Sequence, residues 1–469
     1  MYDFIVIGSG VAGYSAAFLA AQEGQKVLLI EKKSLGGTCL NLGCIPTKYH
    51  LEIVHRLRQV EKFRSSGLVD NLQYRLNLDS LRDHSQKLRS QLRNGLQNLM
   101  KKRSIEWCSG VARFKGPKSL LVRENSNQIE KEFLFRKALI ATGSNNRGHL
   151  AAASTKKTER FFVNEEDAIN LAIQETDILF IGAGVLGIEL ATIYSFLGYK
   201  VTIIEQNQRI LSNFSRKAGE IILNKLRLWG IKVHLSTTIN QIKEGSTNCL
   251  IEAITGEKKF EFRTERIVIT SGRYPATAEL ELENAGIKSD SAGYIEVNDF
   301  LQTSNKNVFA AGDIINRTNK LAHLGSYQGK VVARNLKNKK THGLETGLII
   351  PRVCYSDPEI SAIGDSLEEA KKKGIDAQQE TFPWLANGKA HILNEERGEI
   401  LIVWEKKEGR ILGAEMIGNG SSELIGEIGV LIRQNMTIKE ISKIIHPHPG
   451  LAESISQAAQ KASHICTDI

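Results

Sequence analysis

A glycine-rich turn occurs twice in this chain, each time in the same frame. Gly8, Gly10 and Gly13 follow a short apolar stretch at residues 3–7. An apolar helix from Tyr14 to Gln22 comes next, and a second strand from Lys26 to Ile30 ends at Glu31. Gly182, Gly184 and Gly187 follow a strand at residues 178–181. A helix from Ile188 to Leu197 and a strand from Lys200 to Ile204 lead to Glu205. Gly8 to Glu31 and Gly182 to Glu205 are equally far apart in sequence. In such a unit one glycine makes the tight turn, one lets a pyrophosphate approach the backbone, and one lets helix and strand pack closely. The helix N-terminus faces the phosphates, and the terminal carboxylate accepts from ribose hydroxyls. A bare glycine triplet is often only a turn. Strand, turn, helix, strand and acid in register specify a βαβ dinucleotide unit. Two copies imply two dinucleotides, one held and one exchanged.

Glu205 narrows the second nucleotide. A carboxylate there bonds to a ribose 2′-hydroxyl and repels a 2′-phosphate. No arginine pair follows at Gln206, Asn207 and Gln208, and a single Arg209 is a poor phosphate clamp. The expectation is NAD rather than NADP.

The chain has 469 residues, too many for one core and enough for three or four domains. The net charge of +10 is spread along the chain without a basic block interleaved with aromatics, so no nucleic-acid partner is expected. No apolar run approaches a membrane span, and no leader segment is visible before the first strand. Six cysteines occur, four of them scattered singly at Cys108, Cys249, Cys354 and Cys466. That pattern suits a reducing cytoplasm.

The remaining two, Cys39 and Cys44, lie five residues apart. The spacing alone leaves open a redox pair, two buried thiols or half of a metal site. A metal site would want further Cys or His pairs at short spacing, and none follows. The segment around them, GGTCLNLGCIPTK, closely resembles the redox-active segment of the flavoprotein disulfide reductases, in the variant seen in the dihydrolipoamide dehydrogenases. The resemblance implies a Cys39–Cys44 disulfide, FAD on the first unit and NAD on the second. It implies that Lys48 pairs with Glu189 beside the flavin.

Further motifs occur in the family order. Thr142 and Gly143, in the stretch from Ala138 to Ser144, match the exit from the first nucleotide domain. Gly272, in TSGRYPAT, matches the crossing back out of the second. The stretch from Asn307 to Asp313 resembles the second FAD motif, whose aspartate, here Asp313, holds a ribityl hydroxyl. Leu321-Ala322-His323 matches the place where backbone amides approach the flavin pyrimidine. Near the C-terminus stands HPHPGLAE. Taken alone, its two histidines could form a rigid turn or a weak metal pair. A His with a carboxylate five residues on fits an acid–base pair better, since the carboxylate fixes the ring tautomer. The resemblance assigns His448 as the base, Glu453 as its orienter and His446 to structure.

The expected fold is therefore α/β, with two Rossmann-like dinucleotide-binding domains and a C-terminal α+β dimerisation domain. The expected division is FAD-binding at 1–148, NAD-binding at 149–276, a second FAD-binding or central part at 277–345, and the interface domain at 346–469. A long amphipathic helix is expected over 77–103, packing through Leu81, Leu88, Leu92, Leu96 and Leu99. The expected activity is dihydrolipoamide oxidation with NAD+, in a homodimer whose active sites are shared across the interface. The implied partners are the lipoyl domains and acyltransferase core of 2-oxoacid dehydrogenase complexes, or the glycine-cleavage carrier protein. The rivals are a divergent NAD(P)H-dependent reductase of another disulfide and, from a different class, a non-catalytic lipoyl-binding scaffold. Departures from the family pattern are Gly450 and Ala452 in the histidine motif, Asp357 where many members carry His, and a segment from Asn145 to Lys157 without the usual proline.

Overall fold

The computed structural model describes residues 1–70, 75–146, 154–316, 319–336, 343–345, 347–395 and 397–468. The expected boundaries at 148/149 and at 346, and most of the departing 145–157 segment, lie outside these residues.

The first domain is built on five parallel strands in the order Glu106–Gly116, Val27–Glu31, Tyr2–Ile7, Glu130–Ile140 and Val308–Ala310. Its central strands are near-continuous apolar runs because helices and loops cover both faces. Phe4, Ile5, Val6, Leu29 and Leu139 are fully buried. The two long strands continue beyond the parallel sheet and join Ser119–Glu124 in an antiparallel meander. The last strand enters from a segment that follows the second nucleotide unit.

The second domain repeats this plan. Its parallel order is Lys232–His234, Lys200–Ile204, Asp177–Ile181, Arg266–Ile269 and Phe162–Val163. A three-stranded antiparallel meander, residues 237 to 264, accompanies it. The repeat read from the glycines therefore extends to the sheets. Between the domains Arg273–Pro275 runs antiparallel to Ser144–Asn146, so two chain crossings are hydrogen-bonded to each other. The C-terminal domain is a five-stranded antiparallel sheet. Helices Ser421–Arg433 and Glu453–Ala462 share its core through Ile428, Ile455, Phe382 and Met416.

Two close approaches fix the first unit. Gly8 has φ +97°, which only glycine adopts freely. A Cβ on Gly13 would stand 1.9 Å from the Gly8 carbonyl oxygen. The helix Ala322–Asn335 then crosses the nucleotide helix Val11–Gln22 at Gly329, where a Cβ would meet the Ala12 carbonyl oxygen at 2.1 Å.

The long helix, Leu78–Lys102, differs from expectation in how it packs. Leu81 is buried, but Leu92 and Leu99 are exposed. The helix contributes Leu81, Ser85 and Met100 to the interior, and two of its arginines, Arg89 and Arg93, bond to Asn41 of the cysteine segment. A leucine stripe in sequence showed amphipathicity and not which part of it this chain covers. Among the described residues no helix is long and apolar enough to cross a membrane.

Gly329→Ala should destabilise the protein by about 1–3 kcal/mol or more, because the obstructing atom is backbone and cannot yield. A thermal melt equal to wild type would show that the two helices separate without cost.

Candidate active site

The segment Leu35 to Lys48 folds as a short helix, Gly37–Leu42, a break at Gly43, and the long helix Cys44–Ser65. Gly43 has φ −154° and ψ −114°, outside the helical range. Cys39 thus sits in the short helix and Cys44 begins the long one. The break brings the sulfurs into hydrogen-bond contact as a thiol pair. Asn41 secures the short helix. Its Nδ2 donates to the carbonyls of Leu35 and Gly37, each at 2.9 Å. Arg93 donates to Asn41 Oδ1 at 2.8 Å, and Arg89 to the Asn41 carbonyl at 2.9 Å.

The two thiols differ electrically. The hydrogen bond from Cys39 pulls the Cys44 thiol down to about 7, with burial opposing and the Lys48 ammonium assisting. Donating that bond pushes Cys39 well above the usual thiol range, and burial adds to the rise. Cys44 is therefore the more acidic thiol of the pair and Cys39 the one that holds its proton. Lys48, one turn on, lies 2.7 Å from Glu189 Oε2 in the helix Val185–Phe196 of the second domain. Burial works against the Lys48 charge, but the facing carboxylate holds its pKa above the ordinary value. Glu189 is fully buried, and its other oxygen accepts the Tyr355 N–H at 3.0 Å.

A cavity of about 1470 Å³ opens beside this pair. Gly8, Gly10, Glu31, Cys39, Cys44 and Lys48 line it on one side. Thr142, Gly143, Asp313, Ala322 and Glu189 also face it. Its size exceeds the roughly 300–1,000 Å³ of an ordinary small-molecule pocket. Three observations fit an extended dinucleotide. Gly10 has nothing within 4 Å of where a Cβ would be, so backbone is bare to the cavity. Thr47, on the wall and 1% exposed, has a hydroxyl without a protein partner. Glu31 stands at the end of its strand, ordered by Ser9 N–H at 2.9 Å, Ser9 Oγ at 2.7 Å and Lys33 N–H at 2.8 Å.

The second unit copies that arrangement. Glu205 accepts from Ala183 N–H at 2.7 Å and Asn207 N–H at 2.8 Å. A Cβ on Gly187 would meet the Gly182 carbonyl oxygen at 2.1 Å, while Gly184 faces open space. These glycines, Gly13, Glu205 and Gly272 lie off the cavity wall. The second domain reaches the cavity through Val185, Leu186, Glu189 and Thr270.

The histidine motif is apart from both. His448 Nδ1 lies 3.0 Å from Glu453 Oε1, and Glu453 Oε2 accepts the Gly450 N–H at 2.8 Å. Burial opposes the Glu453 charge, but the Gly450 and His448 bonds hold its carboxyl below the usual range. Glycine at 450 therefore still serves the carboxylate through its backbone. The His448 side chain is 79% exposed and lies off the cavity wall. His446 is buried between Glu427 and Ser456, at 3.0 and 3.1 Å, which suits a structural role.

Sequence reasoning missed Asn41, Arg89, Arg93, Gly110, Glu165 and Arg273, all on the cavity wall. Asn41 lies inside the cysteine segment and could have been found there. Arg273 follows Gly272 in TSGRYPAT and could likewise have been found there, while the others reach the site from distant segments without a local pattern.

This combination of paired nucleotide folds, a dithiol helix and a separate antiparallel domain defines a class. The model of the pyridine nucleotide-disulphide oxidoreductases matches residues 2–329, and that of their dimerisation domain matches residues 350–459. The chain belongs to this family. It is 35% identical over 470 residues to a dihydrolipoyl dehydrogenase of Buchnera aphidicola subsp. Schizaphis graminum, covering 100% of this chain and 97% of that one. It is 35% identical to the dihydrolipoyl dehydrogenase of Geobacillus stearothermophilus, covering 98% and 96%. A solved copper(II) complex of a cysteine-to-serine mutant of the HOCl-induced flavoprotein disulfide reductase RclA of Escherichia coli superposes with TM-score 0.85. That pair is 25% identical over 97% of this chain and 98% of that one.

In the reduced protein the thiolate ultraviolet absorbance should grow as pH rises through about 7, the titration of Cys44. Lys48→Met removes the stabilising cation and should move that midpoint upward. An unmoved midpoint would separate Lys48 from the thiolate. Gly10→Ala should leave the apoprotein's melt near wild type and weaken FAD uptake about tenfold or more, since the added methyl enters only the open cavity.

Proposed function

We propose that the protein is a dihydrolipoyl dehydrogenase, oxidising dihydrolipoamide to lipoamide and reducing NAD+ to NADH. The observation that carries this reading is the Cys39–Cys44 pair, with its Cys44 thiolate beside Lys48 on the wall of a dinucleotide-sized cavity. Members of the family use FAD and NAD(P). The bare backbone at Gly10, the unpartnered Thr47 hydroxyl and the carboxylates of Glu31 and Asp313 fit FAD in the cavity. When bound there, FAD supplies two-electron chemistry between the dithiol and the nicotinamide. Glu205, with Gly182, Gly184 and Gly187, serves NAD on the second domain, and its carboxylate disfavours a 2′-phosphate.

In the oxidised protein Cys39 and Cys44 form a disulfide. His448 removes a proton from one substrate thiol, and the thiolate attacks Cys39. The Cys39–Cys44 bond breaks and Cys44 leaves as a thiolate. The second substrate thiol, deprotonated in turn, displaces Cys39 and closes lipoamide. Two electrons and two protons leave the substrate, and NAD+ takes up the equivalent of one hydride. The remaining proton is released. Lys48 stabilises the Cys44 charge, and Glu453 keeps the His448 ring oriented.

The matched dimerisation domain supports a homodimer. His448 stands on the surface of its own chain, close in sequence to Ile445, which is 95% exposed. This supports an isologous dimer in which His448 of one chain serves the cysteines of the other. The protein partners in this reading are lipoyl domains of a 2-oxoacid dehydrogenase complex or the glycine-cleavage carrier, in the cytoplasm. Cys108, Cys249 and Cys354, all buried thiols, suit that reducing setting.

The deciding assay offers dihydrolipoamide, glutathione and related thiols with NAD+ and with NADP+. Turnover of dihydrolipoamide with NAD+ strongly preferred is expected, and Cys44→Ser should abolish it while FAD stays bound. His448→Gln should lower kcat by about 10²–10⁴. After verified subunit exchange, Cys44→Ser chains mixed with His448→Gln chains should regain up to half the wild-type activity per heterodimer. No recovery would refute the shared site, and turnover of another disulfide alone would refute the substrate.

A further inference from the structure

We propose that the Glu165–Arg273 ion pair is a positioning element for the flavin site, holding Asp313 ready through the hydroxyl of Ser144. The inference rests on the reading that FAD fills the cavity and that Asp313 binds it. Ser144 Oγ lies 2.8 Å from Asp313 Oδ2 and 2.8 Å from Arg273 Nε. A guanidinium only donates. The Ser144 hydroxyl must therefore accept from Arg273, and its single proton points at Asp313. That engages Oδ2 and leaves the rest of the carboxylate, half-buried on the cavity wall, for a ligand hydroxyl.

Arg273 grips Ser144 twice, because Nη2 also donates to the Ser144 carbonyl at 2.8 Å. Its remaining arm, Nη1, reaches both oxygens of Glu165 at 3.0 and 3.1 Å. Glu165 opens the helix Glu165–Ile169 of the second domain, capped by Asn164. The Arg273 main chain is fixed as well, since its carbonyl accepts from Tyr294 Oη at 3.0 Å and Lys320 Nζ at 3.2 Å. Both ion-pair side chains are mostly shielded, at 25% and 17% exposure. A fork held on three sides has one geometry, and lysine cannot reproduce it. The chain Glu165, Arg273, Ser144, Asp313 thus runs from the pyridine-nucleotide domain to the flavin carboxylate. It crosses where strands 144–146 and 273–275 pair.

The test titrates apoprotein with FAD, following flavin fluorescence, and separately melts each apoprotein. Ser144→Ala and Arg273→Met should each weaken FAD binding about tenfold. Because they act in series, the double variant should be no weaker than the worse single one. Glu165→Gln should cause a smaller loss, and Arg273→Lys should recover only part of the Arg273→Met defect. If Arg273→Met does not fold, Ser144→Ala and Glu165→Gln decide alone. Variants with wild-type FAD affinity, or losses that simply add, would overturn the proposal and leave the pair as glue between crossings. Wild-type protein that takes up no FAD would overturn the cofactor reading itself, and this inference with it.

Discussion

A carboxylate with no access to water stands in the middle of an apolar helix, and much of the site depends on satisfying it. Glu189 is flanked by Ile188, Leu190 and Ala191, all buried with it. An unpaired charge there would be strongly disfavoured, and removing one partner of such a pair costs about 3–5 kcal/mol. Its two partners come from different domains. Lys48 extends from the helix that begins with Cys44, and the Tyr355 N–H comes from the start of the C-terminal domain. The Lys48 ammonium also lies 5.0 Å from the Tyr355 ring centroid. One buried anion therefore fixes the distance between the redox helix, the pyridine-nucleotide domain and the interface domain.

A second charge repeats the device two to three turns along the same redox helix. Arg58 pairs with Asp357 at 2.9 Å, both largely shielded from solvent. Its guanidinium lies 3.4 Å from the Trp229 ring centroid and 5.6 Å from that of Phe196. Burial lowers the Arg58 pKa, and the Asp357 bond and charge work against that fall. The pair again joins the first domain to the other two. It also accounts for Asp357, which departs from the family pattern: an anion at this position answers an arginine that the helix brings to the same junction.

The two nucleotide units were legible because their physics is local. A glycine that must turn, a glycine that must let backbone through and an acid at the strand end all fall within one βαβ stretch. The cysteine spacing by itself left three readings open, and the resemblance of the segment around it decided between them; the break at Gly43 and the anchor at Asn41 appear only in the fold. The Glu165–Arg273–Ser144–Asp313 chain was not legible. Its members lie in separate segments, and nothing in the sequence around Glu165 distinguishes it from a solvated helix start. The leucine stripe of the long helix misled for a related reason. Period reports that a face is apolar, while coverage depends on what the rest of the fold, or another chain, lays against it.

This division between local and long-range physics explains how the site is assembled. Each local motif supplies a rigid piece: a phosphate turn, a dithiol helix, an oriented histidine. The pieces meet through contacts between chain segments, apolar and charged together: Leu51 and Val54 of the redox helix share one core with Ile188 and Ile360. Lys48–Glu189 and Arg58–Asp357 set the redox helix against both other domains. The histidine, oriented by Glu453 at the start of the last helix, lies off the cavity wall of the same chain. His448 is ordered by Glu453 yet open to solvent, which leaves its outer face free for a partner surface. Under the proposed function, the final contact of the site lies at the surface the C-terminal domain presents to a second copy. The dithiol pair is held within one chain, and the proposed function leaves its proton acceptor to be supplied by assembly.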